Sequence, residues 1–276
     1  MNRRDTVLAL AALGAAPLAC YAQQQTGKIA RIGRLSPQSA PADSHSFEAL
    51  RHGLRDLGWI EGRNIAFEYR AADGNFDRLS ELAAELVRLN VDVIVSGSTP
   101  GALATKMATA TIPIVMVTTG DPVAIGLVSS LARPGGNLTG VTALGRETAA
   151  KRLELLKEML PGISRVAVLA NRDFQGYGAQ AKEIEAAAHA LALNLQFVEV
   201  RGANDLDNAF TTMAAAHAGA ILTLSDPVTF TLLKRIVELA IKHRLPSTHL
   251  QAEYADAGGL VAYGPSYTEL YRRAAP

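Results

Sequence analysis

The residues with chemical potential in this sequence sit in short polar turns. Ser36-Pro37-Gln38, Ser96-Gly97-Ser98-Thr99-Pro100, Thr118-Thr119-Gly120-Asp121-Pro122, Asn171-Arg172-Asp173-Phe174 and Ser225-Asp226-Pro227 each follow a short apolar run. A hydroxyl-rich turn that opens a helix presents free backbone N–H groups and a positive dipole end, which suit a carboxylate or phosphate. Ser98 and Thr99 are placed for that chemistry, and Asp121 or Asp226 for pairing with an ammonium group. Phe174, Tyr177, Tyr254 and Tyr263 lie near these turns and could enclose an apolar body. Taken singly, each turn also reads as an ordinary helix cap, and Asp-Pro is common in turns. The recurrence of the pattern at equivalent positions points to binding, with Ser36, Ser98, Thr99, Thr118, Thr119, Asp121, Asn171, Asp226 and Tyr254 as the candidate site residues.

Arrangements for covalent or metal chemistry do not emerge. Ser98 is not in a Gly-x-Ser-x-Gly elbow. The histidines at 45, 52, 189, 217, 243 and 249 show no metal-ligand spacing, and Cys20 is the one cysteine. Gly97 to Gly101 lacks the Gly-Lys-Ser/Thr of a nucleotide loop, and 135–140 reads as a turn-rich loop rather than a dinucleotide fingerprint. No cofactor or metal is expected. The enzymatic option left open is a carboxylate pair of Asp121 and Asp226.

The turns are positioned by alternating strands and helices. Runs at 29–35, 65–69, 91–95 and 112–117 read as strands, and a second series follows at 165–169, 195–200, 220–224 and 260–263. Amphipathic helices separate them, the first capped by Asp43 or Ser44 and placing Phe47, Leu50, Leu54 and Leu57 on one face. Strands joined by helices of this length form parallel βαβ units, and two series predict two sheets rather than one very wide one. In an open parallel sheet the ligand lies beyond the carboxyl ends of the strands, where all the polar turns fall. The chain stops two turns into a last helix begun at Ser266 or Thr268, which predicts a natural sequence that continues.

The first residues carry an export signature. Arg3 and Arg4 precede an apolar run over 6–19, and Cys20-Tyr21-Ala22 supplies the small-residue exit, with cleavage expected after Ala22. The arginine pair leaves a twin-arginine route open beside ordinary export, and Leu18-Ala19-Cys20 leaves lipidation at Cys20 as the alternative to release. Removing Arg3, Arg4 and Asp5 from 27 basic and 26 acidic residues leaves the mature chain without net charge. That balance argues against a nucleic-acid or polybasic membrane partner.

Several blocks resemble a known family. They are Phe47 with Leu54 and Leu57-Gly58-Trp59, then Glu61-Gly62-Arg63-Asn64 and Arg78-Leu79-Ser80-Glu81-Leu82. Further along stand Gly120-Asp121-Pro122-Val123, the block 130–140, Leu153-Glu154-Leu155-Leu156-Lys157-Glu158, Arg244-Leu245-Pro246, Gly258-Gly259-Leu260 and Tyr263-Gly264-Pro265. Over 28–276 the chain is similar to the ATP-binding-cassette substrate-binding proteins of the tryptophan/tyrosine-receptor kind. The resemblance implies a type I periplasmic-binding-protein fold with two Rossmann-like lobes, the first over 28–145 and 258–276 and the second over 146–257. The strand at 260–263 would return to the first lobe. It further implies a monomer that takes up a small anionic or zwitterionic metabolite in the periplasm, such as an aromatic amino acid, and passes it to permease and ATPase subunits. A ligand-sensing module docking on a membrane sensor is the alternative use of the same fold.

Overall fold

Buried β-branched runs between amphipathic helices set the architecture. The computed structural model describes residues 28–118, 120–143 and 145–275. The export signal, Cys20 and Thr119 lie outside the described residues. The first series runs β1 (Ala30–Ser36), α1 (Ala40–Asp56), β2 (Ile65–Ala71), α2 (Leu79–Arg88), β3 (Val93–Ser96), α3 (Thr99–Ala108), β4 (Ile114–Thr118) and β5 (Leu138–Thr142). The second runs α4 (Gly145–Met159), β6 (Arg165–Ala170), α5 (Tyr177–Ala190), β7 (Asn194–Glu199), α6 (Leu206–Ala215) and β8 (Ala220–Thr223). It continues through α7 (Pro227–Thr231), α8 (Leu233–Lys242), β9 (Ser247–His249), α9 (Ala252–Asp256) and β10 (Val261–Ala262), and the last helix is α10 (Tyr267–Arg273).

The strands form two five-stranded sheets, ordered β2-β1-β3-β4-β5 and β10-β9-β8-β6-β7. Every pairing is parallel. Helices cover both faces of each sheet, as parallel sheets require. In the first lobe α2 and α3 bury Leu79, Leu82, Leu86 and Ala104 on one face, while α1 and α10 bury Leu50, Leu54, Leu270 and Tyr271 on the other. In the second lobe α4 and α5 pack through Leu153, Leu156 and Ile184, and α6 and α8 through Phe210, Met213 and Ile236. No described helix is long and apolar enough to cross a membrane.

The structure corrects the sequence reading at four places. Residues 138–142, within what reads as a turn-rich loop and its exit, are a fifth strand. Gly140 lies at φ 145° against β4, where a Cβ would fall 2.0 Å from the Met116 carbonyl oxygen, so only glycine lets the two strands approach. Residues 247–249 form a further strand, β9, on the other sheet. Strand β10 does not return to the first lobe: Val261 pairs with Thr248 and Ala262 with His249. The turn at Gly258 and Gly259, where Gly259 N–H donates to the Tyr254 carbonyl at 2.8 Å, reverses the chain onto β9 instead of across the cleft. Only after β10 does the chain cross back, and α10 then packs on α1. Finally, α1 begins at Ala40 with Pro41 in its first turn, so Asp43 and Ser44 are not its caps; Asp43 is a buried ion-pair partner.

Candidate ligand-binding cleft

Three helix starts meet where the two lobes face each other. In the first lobe Ser98 caps α3, its hydroxyl accepting from Gly101 N–H at 3.0 Å. The Thr99 hydroxyl next to it is buried with no protein partner. In the second lobe Asp226 caps α7, with Oδ1 accepting from Thr229 N–H at 2.9 Å and Oδ2 from the Thr229 hydroxyl at 3.1 Å. Gln251 stands at the start of α9. Together with Pro37 and Gln38 after β1, these residues line one crevice, walled by Phe230, Tyr267 and Tyr271. Its free space is about 30 Å³, room for about two water molecules. Phe230 of the second lobe stacks on Tyr267 of α10 with ring centroids 5.7 Å apart, which closes one side.

The two carboxylates in the lining differ electrically. Asp43 is held by Arg34, whose Nη2 and Nε donate to its two oxygens at 2.7 and 3.1 Å, and by the Tyr69 hydroxyl at 2.9 Å. Burial acts to lower the Arg34 pKa, but Tyr271 and Asp43 outweigh it and hold the guanidinium above its ordinary value. Arg34 also donates to the Tyr271 hydroxyl at 2.9 Å and lies over that ring, 4.8 Å from its centre. Burial pushes the Tyr271 phenol up to about 12. A Cβ on Gly97 would lie 2.4 Å from the Tyr271 hydroxyl and 2.6 Å from Arg34 Nη1, so this network passes through space that only glycine leaves. Asp226 has no cation among the described residues. Burial raises its carboxyl to about 6, against the lowering effect of the Thr229 and Asn171 hydrogen bonds. It is the uncompensated acid of the cleft.

Of the residues expected from sequence, Ser98, Thr99 and Asp226 come together in the lining. Ser36 lies beside it, its hydroxyl accepting from Gln38 N–H at 3.1 Å. Thr118 is buried at the end of β4 with its hydroxyl unpartnered by protein, outside the lining. Asp121 accepts from Val123 and Ala124 N–H at 3.0 and 3.1 Å within its own turn and is not among the residues lining the crevice, which include Asp226. Asn171 supports Asp226 through its N–H at 3.4 Å. Tyr254 is core: its hydroxyl donates to the Thr229 carbonyl at 2.7 Å and its ring stacks on His249. Sequence reasoning missed Gln38, Asp43, Ser46, Phe230, Gln251, Tyr267 and Tyr271. Phe230 is four residues beyond the Asp226 cap and Tyr267 directly follows the Ser266 cap, so both sit in the first turn after a cap, a signal that could have found them. Among the described residues no group of three or more His, Cys, Asp and Glu side chains could hold a metal ion.

Two all-parallel α/β lobes are also the fold of known structures. The sequence profile of the family described as ABC transporter substrate binding protein matches residues 32–276. The chain belongs to this family. A substrate-binding protein of this family binds small molecules, and its fold here is the type I periplasmic-binding-protein fold expected from the motifs. The tyrosine-binding protein of Clostridioides difficile is 26% identical over 219 residues, 79% of this chain and 62% of that protein. The chain thus spans about three fifths of that relative's length. A crystal structure of a conserved domain protein from Vibrio cholerae is 28% identical, with a TM-score of 0.82 over 90% of this chain and 83% of the other. The ABC domain of Streptococcus pneumoniae in complex with L-Trp has the same fold, with a TM-score of 0.78 at 23% identity over 89% and 82% of the two chains.

Proposed function

We propose that this substrate-binding protein captures an aromatic amino acid in the interlobe crevice and delivers it to the permease and ATPase subunits of an importer. The observation that carries the reading is the lining itself. An uncompensated buried carboxylate, Asp226, stands ready for an ammonium group, and Phe230, Tyr267 and Tyr271 offer ring faces for an apolar body. A tyrosine-binding relative at 26% identity supports the aromatic class. About 30 Å³ does not hold an amino acid, so the lobes part to admit one. The export signature supports work in the periplasm after cleavage behind Ala22.

Thermal unfolding of the mature protein with tyrosine, phenylalanine, tryptophan, leucine and benzoate tests the reading. Aromatic amino acids at 100 times their Kd should add about 2.7 kcal/mol to stability. A folded protein whose midpoint none of these ligands raises would sink the proposal.

A further inference from the structure

Among the described residues two arginines have no exposed surface, one in each lobe, and the fold treats them differently. Arg34 gives the Nε–Nη2 edge of its guanidinium to Asp43, the side-on fork that matches a carboxylate. Arg152, on α4, uses only Nη1, which donates to the Thr223 carbonyl at 2.7 Å. Its Nε and Nη2, the same edge, are buried without a protein partner. Burial pulls Arg152 down to about 10, which leaves it cationic at neutral pH. An isolated buried cation costs several kcal/mol, so its retention calls for an anion.

The surroundings are those of a site rather than of a packing defect. His249 keeps Nδ1 on the Thr223 hydroxyl at 2.9 Å and leaves Nε2 buried without a protein partner. Burial, and then the Arg152 charge, hold this imidazole neutral, so it adds hydrogen-bonding capacity without a second cation. The Ser225 hydroxyl, two residues beyond Thr223, is buried and unpartnered as well. Asp226 is the next residue. Tyr254 is within electrostatic reach of both Asp226 and Arg152. The exit of β8 therefore carries a buried acid and a buried base that make no ion pair with each other, one group of each sign for the two charges of an α-amino acid.

We infer that the Nε–Nη2 edge of Arg152 is a carboxylate-binding subsite, which takes the ligand's carboxylate while Asp226 takes its ammonium group. The inference rests on the amino-acid reading of the cleft. It moves the carboxylate from the Ser98–Thr99 turn, where Ser98 already caps its own helix, to the second lobe.

Calorimetric binding of L-tyrosine, tyramine and p-hydroxyphenylpropionate to the wild-type mature protein and to Arg152→Met tests it. The variant should bind the two carboxylate-bearing ligands about 30-fold more weakly or worse, and tyramine with little change. Ligand-free, it should be at least as stable as wild type, because the lone buried cation is gone. Arg152→Lys keeps the charge without the fork; it should also lose the preference for tyrosine over tyramine, and it carries the test if Arg152→Met does not fold. Equal weakening of tyrosine and tyramine, or unchanged tyrosine affinity, overturns the subsite. Binding of none of the three by wild type overturns the amino-acid reading alone. A formate titration followed on the Arg152 Nε–H resonance then decides the subsite, a saturable shift upholding it and no shift rejecting it.

Discussion

Replacing Arg34 by methionine is expected to destabilise the protein by about 3–5 kcal/mol, the usual cost of breaking a buried ion pair from one side. The side chain of Asp43 is 3% exposed, and it would be left with Tyr69 as its remaining hydrogen-bond donor in the network. The loss is not confined to one charge. Arg34 is on β1, Asp43 on α1 and Tyr271 on α10, so the same substitution unties three elements around the first-lobe core. Urea denaturation of wild type, Arg34→Met, Asp43→Leu and the double variant separates the contributions. The double variant should recover most of the stability, because removing both charges leaves nothing unpaired. A single variant that loses less than about 1 kcal/mol would mean that the pair does not hold the first lobe together.

Asp226→Asn should act in the opposite direction at neutral pH. The Asp226 carboxyl is raised from 3.8 to about 6 by burial. The folded state therefore holds a proton that the unfolded state has released. The stability this gives is fully present below the unfolded value and is lost as pH rises through about 6. At pH 7 the charged group costs about 3 kcal/mol relative to its protonated form. Asparagine keeps an oxygen to cap Thr229 and carries no charge, so the variant should be more stable than wild type at pH 7 and the advantage should vanish near pH 4. His249 works against this trend in both proteins. Its pKa is lowered from 6.5 to about 3, so the stability it gives is present above 6.5 and lost as pH falls. The difference between variant and wild type across pH 4–8 cancels the histidine and isolates Asp226. A flat difference would show that the Asp226 carboxyl is not perturbed. The same variant should bind tyrosine more weakly, a gain in stability bought with the loss of the ligand's ammonium partner.

Most of the fold was legible because its strands announce themselves. Residues 93–95 and 166–170 are continuous apolar runs, and the helices between them carry clear apolar faces. What escaped has local reasons. Strand β5 contains Gly140 and follows Gly135-Gly136-Asn137, which carry every mark of a turn; its strand character comes from pairing with β4 and from the Asn137 side chain donating to the Thr109 and Ile112 carbonyls at 3.1 and 2.7 Å. Strand β9 is the polar tripeptide Ser247-Thr248-His249, buried because it lies inside the second sheet between β8 and β10. The site was legible as a set of helix starts but not as a selection among them. Ser98, Thr99 and Asp226 look no different in sequence from Asp121 or Asn171, and only the meeting of the lobes sorts them. The two buried arginines were invisible for a related reason. Arg34 interrupts an apolar strand and Arg152 an amphipathic helix, and nothing local says that the first has Asp43 waiting nine residues away while the second has no acid at all among the described residues.

The return of α10 to the first lobe also orders events in time. Arg272 pairs with Asp56 and Tyr271 reaches Arg34 across more than two hundred residues, and the second lobe lies wholly inside that span. The single sheet of the second lobe is built from residues wholly inside that span. The first lobe cannot close its α1 face until the whole intervening domain has been made and its ends brought together, a loop closure whose entropy falls entirely on that lobe. The lobe that is begun first is finished last.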